Sequence, residues 1–288
     1  PLFNAGILLF THSYTALKIA NGILFGLSIL ILFFLLKKIS GNLFVALSTC
    51  LLCSMQQALL RYATIVMSEM LFTFLTLGVL YLISLIDMNH LFCKKRPRSQ
   101  IIYFILMIIA LNYIYFVRTM GTSIILAIMI YLGILCVQKG LTLLKSKRKN
   151  DETTVQTGNK QALFSHLIIL CVVIASFAGA KTAWDMRNKS IGVTSSDYLK
   201  DFKKKPKGET MTTFSDWTER IENNLISYVG KWIPTAIISD EPGFDEKVTT
   251  SGLIEGICIL IIVLLGLITL KKMQLLLFLY IGITMAVL

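Results

Sequence analysis

The chain has 288 residues, a formal net charge of +12, 55% hydrophobic residues and only 15% charged residues. Soluble globular domains carry about a quarter of their residues as Asp, Glu, Lys and Arg, so the composition excludes an ordinary soluble domain. The basic residues lie in short clusters between apolar runs, a pattern that argues against a nucleic-acid-binding protein and indicates a polytopic membrane protein.

The apolar runs predict an all-α integral membrane bundle of about eight spans, the last of them truncated where the chain ends. Residues 2–10 form an apolar run too short to cross about 30 Å of hydrocarbon, which predicts a short interfacial helix. The predicted spans are 16–36, 43–60, 65–86, 101–117, 123–137, 163–180, 253–270 and 273–288.

These runs divide the chain into three parts: a membrane bundle over 1–183, a large non-cytoplasmic loop over 184–251, and C-terminal spans over 252–288. In the loop, Trp217, Tyr228 and Trp232 mark an interval with helical spacing, over 218–229. This stretch predicts an amphipathic helix that lies on the membrane surface. Stacking of the rings on a sugar is the alternative interpretation.

The distribution of Lys and Arg predicts the orientation of the bundle. If Lys37 and Lys38 are cytoplasmic, the loops on that side carry half of the 28 basic residues of the chain, as the positive-inside rule requires. We therefore expect a plasma or inner membrane protein whose active face is non-cytoplasmic. The candidate site residues on that face are Lys18, Glu69, Arg118, Trp184, Arg187 and Asn188.

The stretch at Trp184 is where a long apolar run gives way to the polar loop. Trp prefers the membrane interface. Arg187 offers two parallel donors to a phosphate, and Asn188 offers a donor and an acceptor to sugar hydroxyls, so the two residues suit a lipid-phosphate sugar. The alternative is that they only begin the loop.

Glu69 lies at the outer end of the third predicted span, where a charge exposed to lipid would be costly. We therefore expect it to face protein or water and to have a partner. The alternative is an acid favoured by the helix dipole, with Ser68 as the N-cap. Arg118 is either a phosphate ligand or a side chain that extends to the interface from a helix end.

No cofactor or metal site is predicted. His12, His90 and His166 are far apart in the chain, and no Gly-rich phosphate loop is present. A divalent metal is chemically possible but no residue pattern indicates one.

Five motifs occur in order along the predicted outer face. They are Pro1-Leu2 before the first apolar helix, ALKIAN at 16–21, YA at 62–63 followed by SEMLF at 68–72, VRTMG at 117–121, and AWDMRN at 183–188. Together they resemble the membrane-integral C-type glycosyltransferases, in the branch that contains protein O-mannosyltransferases and aminoarabinose transferases.

The resemblance implies transfer of a sugar from a polyprenyl-phosphate donor to a lipid, glycan or protein acceptor, with inversion at the anomeric carbon. In that family the catalytic acid lies in a first outer loop that precedes the segment beginning here at Pro1. The six candidates are therefore expected to bind the donor, and the catalytic residue stays unknown. A transporter or flippase of lipid-linked sugars and a non-catalytic membrane scaffold are the alternatives.

Overall fold

The computed structural model describes residues 2–92, 97–118, 120–148, 153–192, 213–238, 248–270 and 273–287. Several predicted cytoplasmic basic residues (Lys94–Arg96, Lys149 and Lys271–Lys272) lie outside the described residues, as do residues 193–212 and 239–247 of the predicted outer loop. The described part of the chain is helical and contains no strand, so the all-α fold class is confirmed.

Twelve α-helices and one π-helical segment, Tyr228–Trp232, make up the described ranges. The α-helices are α1 Leu2–Phe10, α2 Tyr14–Ser40, α3 Leu43–Met55, α4 Gln57–Thr64, α5 Glu69–Leu85, α6 Arg98–Val117, α7 Gly121–Arg148, α8 Thr153–Ser190, α9 Phe214–Ser227, α10 Ile233–Ile238, α11 Thr250–Thr269 and α12 Gln274–Val287.

Five of these helices are long and apolar enough to cross a membrane: α2, α6, most of α7 and α8, and α11. Three more, α3, α5 and α12, are apolar but shorter. The 13 residues of α3 extend only about 20 Å at 1.5 Å per residue, against about 30 Å of hydrocarbon. The structure is compatible with a multi-pass membrane protein, and it does not confirm the predicted count of eight spans.

The surface of the long helices is apolar. Only 6% of the 18-residue apolar stretch of α11 is buried, and its exposed side chains include Ile257, Ile261 and Leu265. A continuous apolar surface of this kind is unfavourable in water and favourable against lipid. The exposed surface therefore agrees with the membrane prediction made from composition.

The predicted second span, 43–60, is divided in the structure. Helix α3 ends at Met55, Gln56 has an extended backbone, and α4 begins at Gln57. The prediction of one continuous span was wrong, because α3 is mostly apolar whereas α4 presents Gln57 and Arg61 on an amphipathic helix. A helix with one polar face favours the membrane interface over the hydrocarbon core.

Helix α8 continues past the predicted end of the sixth span. The helix ends at Ser190, and Gly192 then takes a left-handed backbone with φ of 73°. Residues 184–190 contain neither Gly nor Pro, so nothing in them stops the helix. The helix therefore continues past the predicted loop boundary at 184, and Trp184, Arg187 and Asn188 lie on α8.

The buried apolar residues form two clusters, of which the larger spans most of the bundle. One cluster contains Leu24, Met70 and Leu71, with Val117 packed against it. The larger cluster extends to Leu35, Ile39, Ile83 and Ile86.

The two ends of the bundle differ in the basic residues that they carry. We call the end that carries Arg118 and Arg187 the arginine end. The opposite end carries Lys38, Lys145 and Lys160, and we call it the lysine end.

The π-helical segment packs closely on α11 through glycine. A methyl group on Gly256 would overlap the carbonyl oxygen of Val229, and one on Gly252 would overlap the carbonyl oxygen of Gly230. Helix α9, which leads into this segment, begins with a capping box in which Thr213 and Asp216 bond each other's backbone N–H groups. The predicted amphipathic helix is therefore present, as 214–227 rather than 218–229.

Candidate functional site

Glu69 and Arg118 form an ion pair at the arginine end. Arg118 Nη1 donates to Glu69 Oε1 at 2.6 Å. The Glu69 side chain is 23% exposed and the Arg118 side chain is 30% exposed. The partner expected for Glu69 is therefore present. Its second oxygen, Oε2, is buried and has no hydrogen-bond partner among the described residues, so the carboxylate retains an unused acceptor.

The local backbone explains how Glu69 reaches this position. Residues 65–68 are not helical, and α5 begins at Glu69 itself. Ser68 occupies the N-cap position, but its side chain forms no capping bond. The interpretation of Ser68 as a side-chain cap was wrong, because its backbone is in the right-handed helical region rather than the extended region that a capping hydroxyl needs.

Asn21 holds the segment that precedes Glu69. Its side chain is 2% exposed, and Nδ2 donates to the carbonyl oxygen of Ile65 at 2.7 Å, which joins α2 to the turn before α5. Asn21 is not among the six residues predicted for the site. A signal was present, because a polar side chain inside an apolar span usually faces the protein interior and has a role there.

Trp184, Arg187 and Asn188 form a second group on α8. The Arg187 guanidinium carbon lies 4.9 Å from the centroid of the Trp184 ring, and Arg187 Nη1 donates to Asn188 Oδ1 at 3.3 Å. Asn188 is 7% exposed, whereas Arg187 is exposed. The arginine is thus held by a neighbouring ring and an amide while it stays accessible from outside the protein.

Phe116 connects the two groups. Its ring centroid lies 5.5 Å from that of Trp184, with an angle of 50° between the ring planes. Because Phe116 is two residues before Arg118, this contact places both arginines at the same end of the bundle. Nothing in the sequence distinguishes Phe116 from the other aromatic residues of α6.

Within the described part of the chain, Lys18 forms no hydrogen bond or ion pair with either group. It is exposed on α2, and its ammonium lies 5.3 Å from the centroid of the Tyr14 ring, one turn earlier on the same helix. It lies three residues before Asn21 and therefore on nearly the same face of α2. Its predicted role in donor binding stays a prediction.

The described residues contain no group of three or more His, Cys, Asp or Glu side chains placed to hold a metal ion. The side chains assembled at the arginine end are instead two guanidinium groups, a carboxylate and an amide. Such a set can bind a phosphate and hydrogen-bond sugar hydroxyls.

No protein-family model, curated protein or solved structure matches this chain. The similarity to C-type glycosyltransferases therefore rests on the five motifs alone.

Proposed function

We propose that the protein transfers a sugar from a polyprenyl-phosphate donor to an acceptor at the arginine end, on the non-cytoplasmic face of the membrane. The observation that carries this proposal is the contact between Phe116 and Trp184, because it brings the Glu69–Arg118 pair and the Arg187 group to one end of an apolar bundle. The polyprenyl chain would lie in the bilayer and its phosphate at head-group depth.

Arg187 is the side chain best suited to receive the donor phosphate. It is exposed, and the Trp184 ring and Asn188 fix its position, so little side-chain entropy is lost on binding. A guanidinium there stabilises the negative charge that develops on a departing phosphate.

Glu69 and Arg118 are suited to bind the sugar and the phosphate together. Glu69 Oε1 holds the guanidinium of Arg118, whose side chain is 30% exposed, and the other guanidinium N–H groups can donate to a phosphate or a sugar hydroxyl. The second carboxylate oxygen, Oε2, is buried, so a sugar hydroxyl would reach it only after the Glu69 side chain rotates. The group that activates the acceptor is not assigned to any residue of this chain.

The experiment that tests this function must separate bond cleavage from transport. The full-length gene product is reconstituted in liposomes with a polyprenyl-phosphate sugar labelled in the sugar, together with a membrane extract as the source of acceptors. We expect label to move to an acceptor and free polyprenyl phosphate to appear. Movement of intact donor across the bilayer without cleavage would instead establish a flippase and contradict the proposal.

A further inference from the structure

A cavity lies at the lysine end, far from the candidate site. It has a volume of about 330 Å³ and is lined by Gly140, Leu143 and Leu144 of α7 and by Lys160 and Leu163 of α8. Four of these five residues are apolar. The fifth, Lys160, is exposed, and no step of the proposed sugar transfer uses it.

Exposed apolar side chains extend from this cavity toward the middle of the bundle on both helices. On α7, Val137 and Ile130 are 62% and 44% exposed, and on α8, Phe164 and Leu167 are 62% and 44% exposed. The seven-residue spacing of Ile130 and Val137 and the three-residue spacing of Phe164 and Leu167 keep each pair near one face of its helix. The apolar path is therefore long enough for an acyl chain rather than for a single small group.

Glycine opens the polar end of this path. A methyl group built on Gly140 would have no heavy atom within 4 Å, so the space beside this residue is open. Lys160 is exposed on one side of the opening, and Lys145, also exposed, follows Leu144 on the other helix. Cations at the head of an apolar groove are the complement of a lipid with an anionic head group.

We propose that the groove between α7 and α8 binds an anionic phospholipid. Its phosphate contacts Lys160, and one acyl chain lies over Gly140, Leu144 and Leu163. The positive-inside orientation places this site in the cytoplasmic leaflet, where anionic lipids are attracted to basic residues near helix ends. The site is independent of the sugar-transfer proposal, because it lies at the opposite end of the bundle.

The test counts lipids bound to the intact protein by native mass spectrometry in mixed micelles of phosphatidylglycerol and phosphatidylcholine. Wild type should retain phosphatidylglycerol in preference. Lys160→Ala should weaken this binding about fivefold. Gly140→Leu should weaken it at least about tenfold, because the added side chain fills the groove that the acyl chain would occupy.

Two controls are matched to these variants. Lys38→Ala removes an exposed lysine at the same end of the bundle, and Gly26→Leu enlarges a glycine of α2 that also has open space beside it. Both should bind phosphatidylglycerol like wild type, and glycerol 3-phosphate, which has no acyl chain, should not compete. Wild-type binding by Lys160→Ala and Gly140→Leu, or a groove filled by a second copy of the chain, would overturn the proposal.

Discussion

Glu69 and Arg118 are separated by 49 residues, yet Arg118 Nη1 lies 2.6 Å from Glu69 Oε1. The pair joins the start of α5 to the end of α6. Val117 also packs against the cluster that contains Met70, so the residues beside the two charges are in contact as well. The ion pair is therefore part of the packing of the arginine end.

This pair should contribute measurably to stability. Exposed ion pairs contribute about 0–1 kcal/mol, whereas loss of one partner of a buried pair costs about 3–5 kcal/mol. For a pair exposed to 23% and 30%, we expect a coupling of about 1–2 kcal/mol. A double-mutant cycle with Glu69→Gln and Arg118→Gln, measured by denaturation in micelles, gives this value. The exposed pair of Asp87 and His90 is the control and should show no measurable coupling.

Asn21 should be needed for order in the turn before Glu69. Asn21→Leu removes the donor to the Ile65 carbonyl oxygen and should cost about 0.5–2 kcal/mol. Amide exchange at 66–69 should increase as well. Asn112→Leu is the matched control, because the hydrogen bond that Asn112 Nδ2 donates among the described residues goes to the Ile108 carbonyl oxygen on its own helix. Equal exchange in both variants would show that Asn21 does not hold this turn.

Gly256 should be required for docking of the π-helical segment on α11. Gly256→Ala places a methyl group against the Val229 carbonyl oxygen, so the segment must move away. We expect protease cleavage near 228–232 to increase. In Gly266→Ala, on the same helix, the added methyl group meets open space, and the cleavage rate should be that of wild type. An unchanged rate for Gly256→Ala would contradict the close approach.

The orientation can be tested by cysteine labelling in intact cells on a Cys-free background. Ser190→Cys, exposed at the end of α8, should react with an impermeant reagent. Ser40→Cys, exposed at the end of α2, should react only after the cells are permeabilised. The opposite pattern would place the arginine end in the cytoplasm and remove the basis for an outer active face.

The sequence predicted the parts of this structure that depend on composition and on charge. Helices follow from apolar runs, and a partner for Glu69 follows from the cost of a charge near lipid; Arg118 is that partner. The partner's identity depends on how α5 and α6 pack, which no local pattern encodes. The contact of Phe116 with Trp184 was missed for the same reason.

Helix ends were predicted less well. The break at Gln56 occurs without Gly or Pro, so the usual signals for a helix end are missing there. Helix α8 extends to Ser190 because polarity alone does not stop a helix. A change from apolar to polar residues indicates where a membrane ends, and the helix can continue beyond that boundary.

The most direct test of the proposed function is donor turnover by variants of Arg187. Arg187→Lys keeps the charge but loses the two parallel donors, and Arg187→Ala loses both. Loss of a charge-assisted contact to the leaving phosphate costs about 2–4 kcal/mol, or about 30- to 1000-fold in rate. Lys189→Ala is the control, because Lys189 is exposed two residues further along the same helix.

We expect the turnover of the polyprenyl-phosphate sugar to fall from wild type through Arg187→Lys to Arg187→Ala. Lys189→Ala should turn the donor over at the wild-type rate. Thermal stability should be unchanged in all three variants. Turnover by Arg187→Ala within about threefold of wild type, well short of the loss expected for a contact to the leaving group, would contradict the placement of the donor phosphate at Arg187.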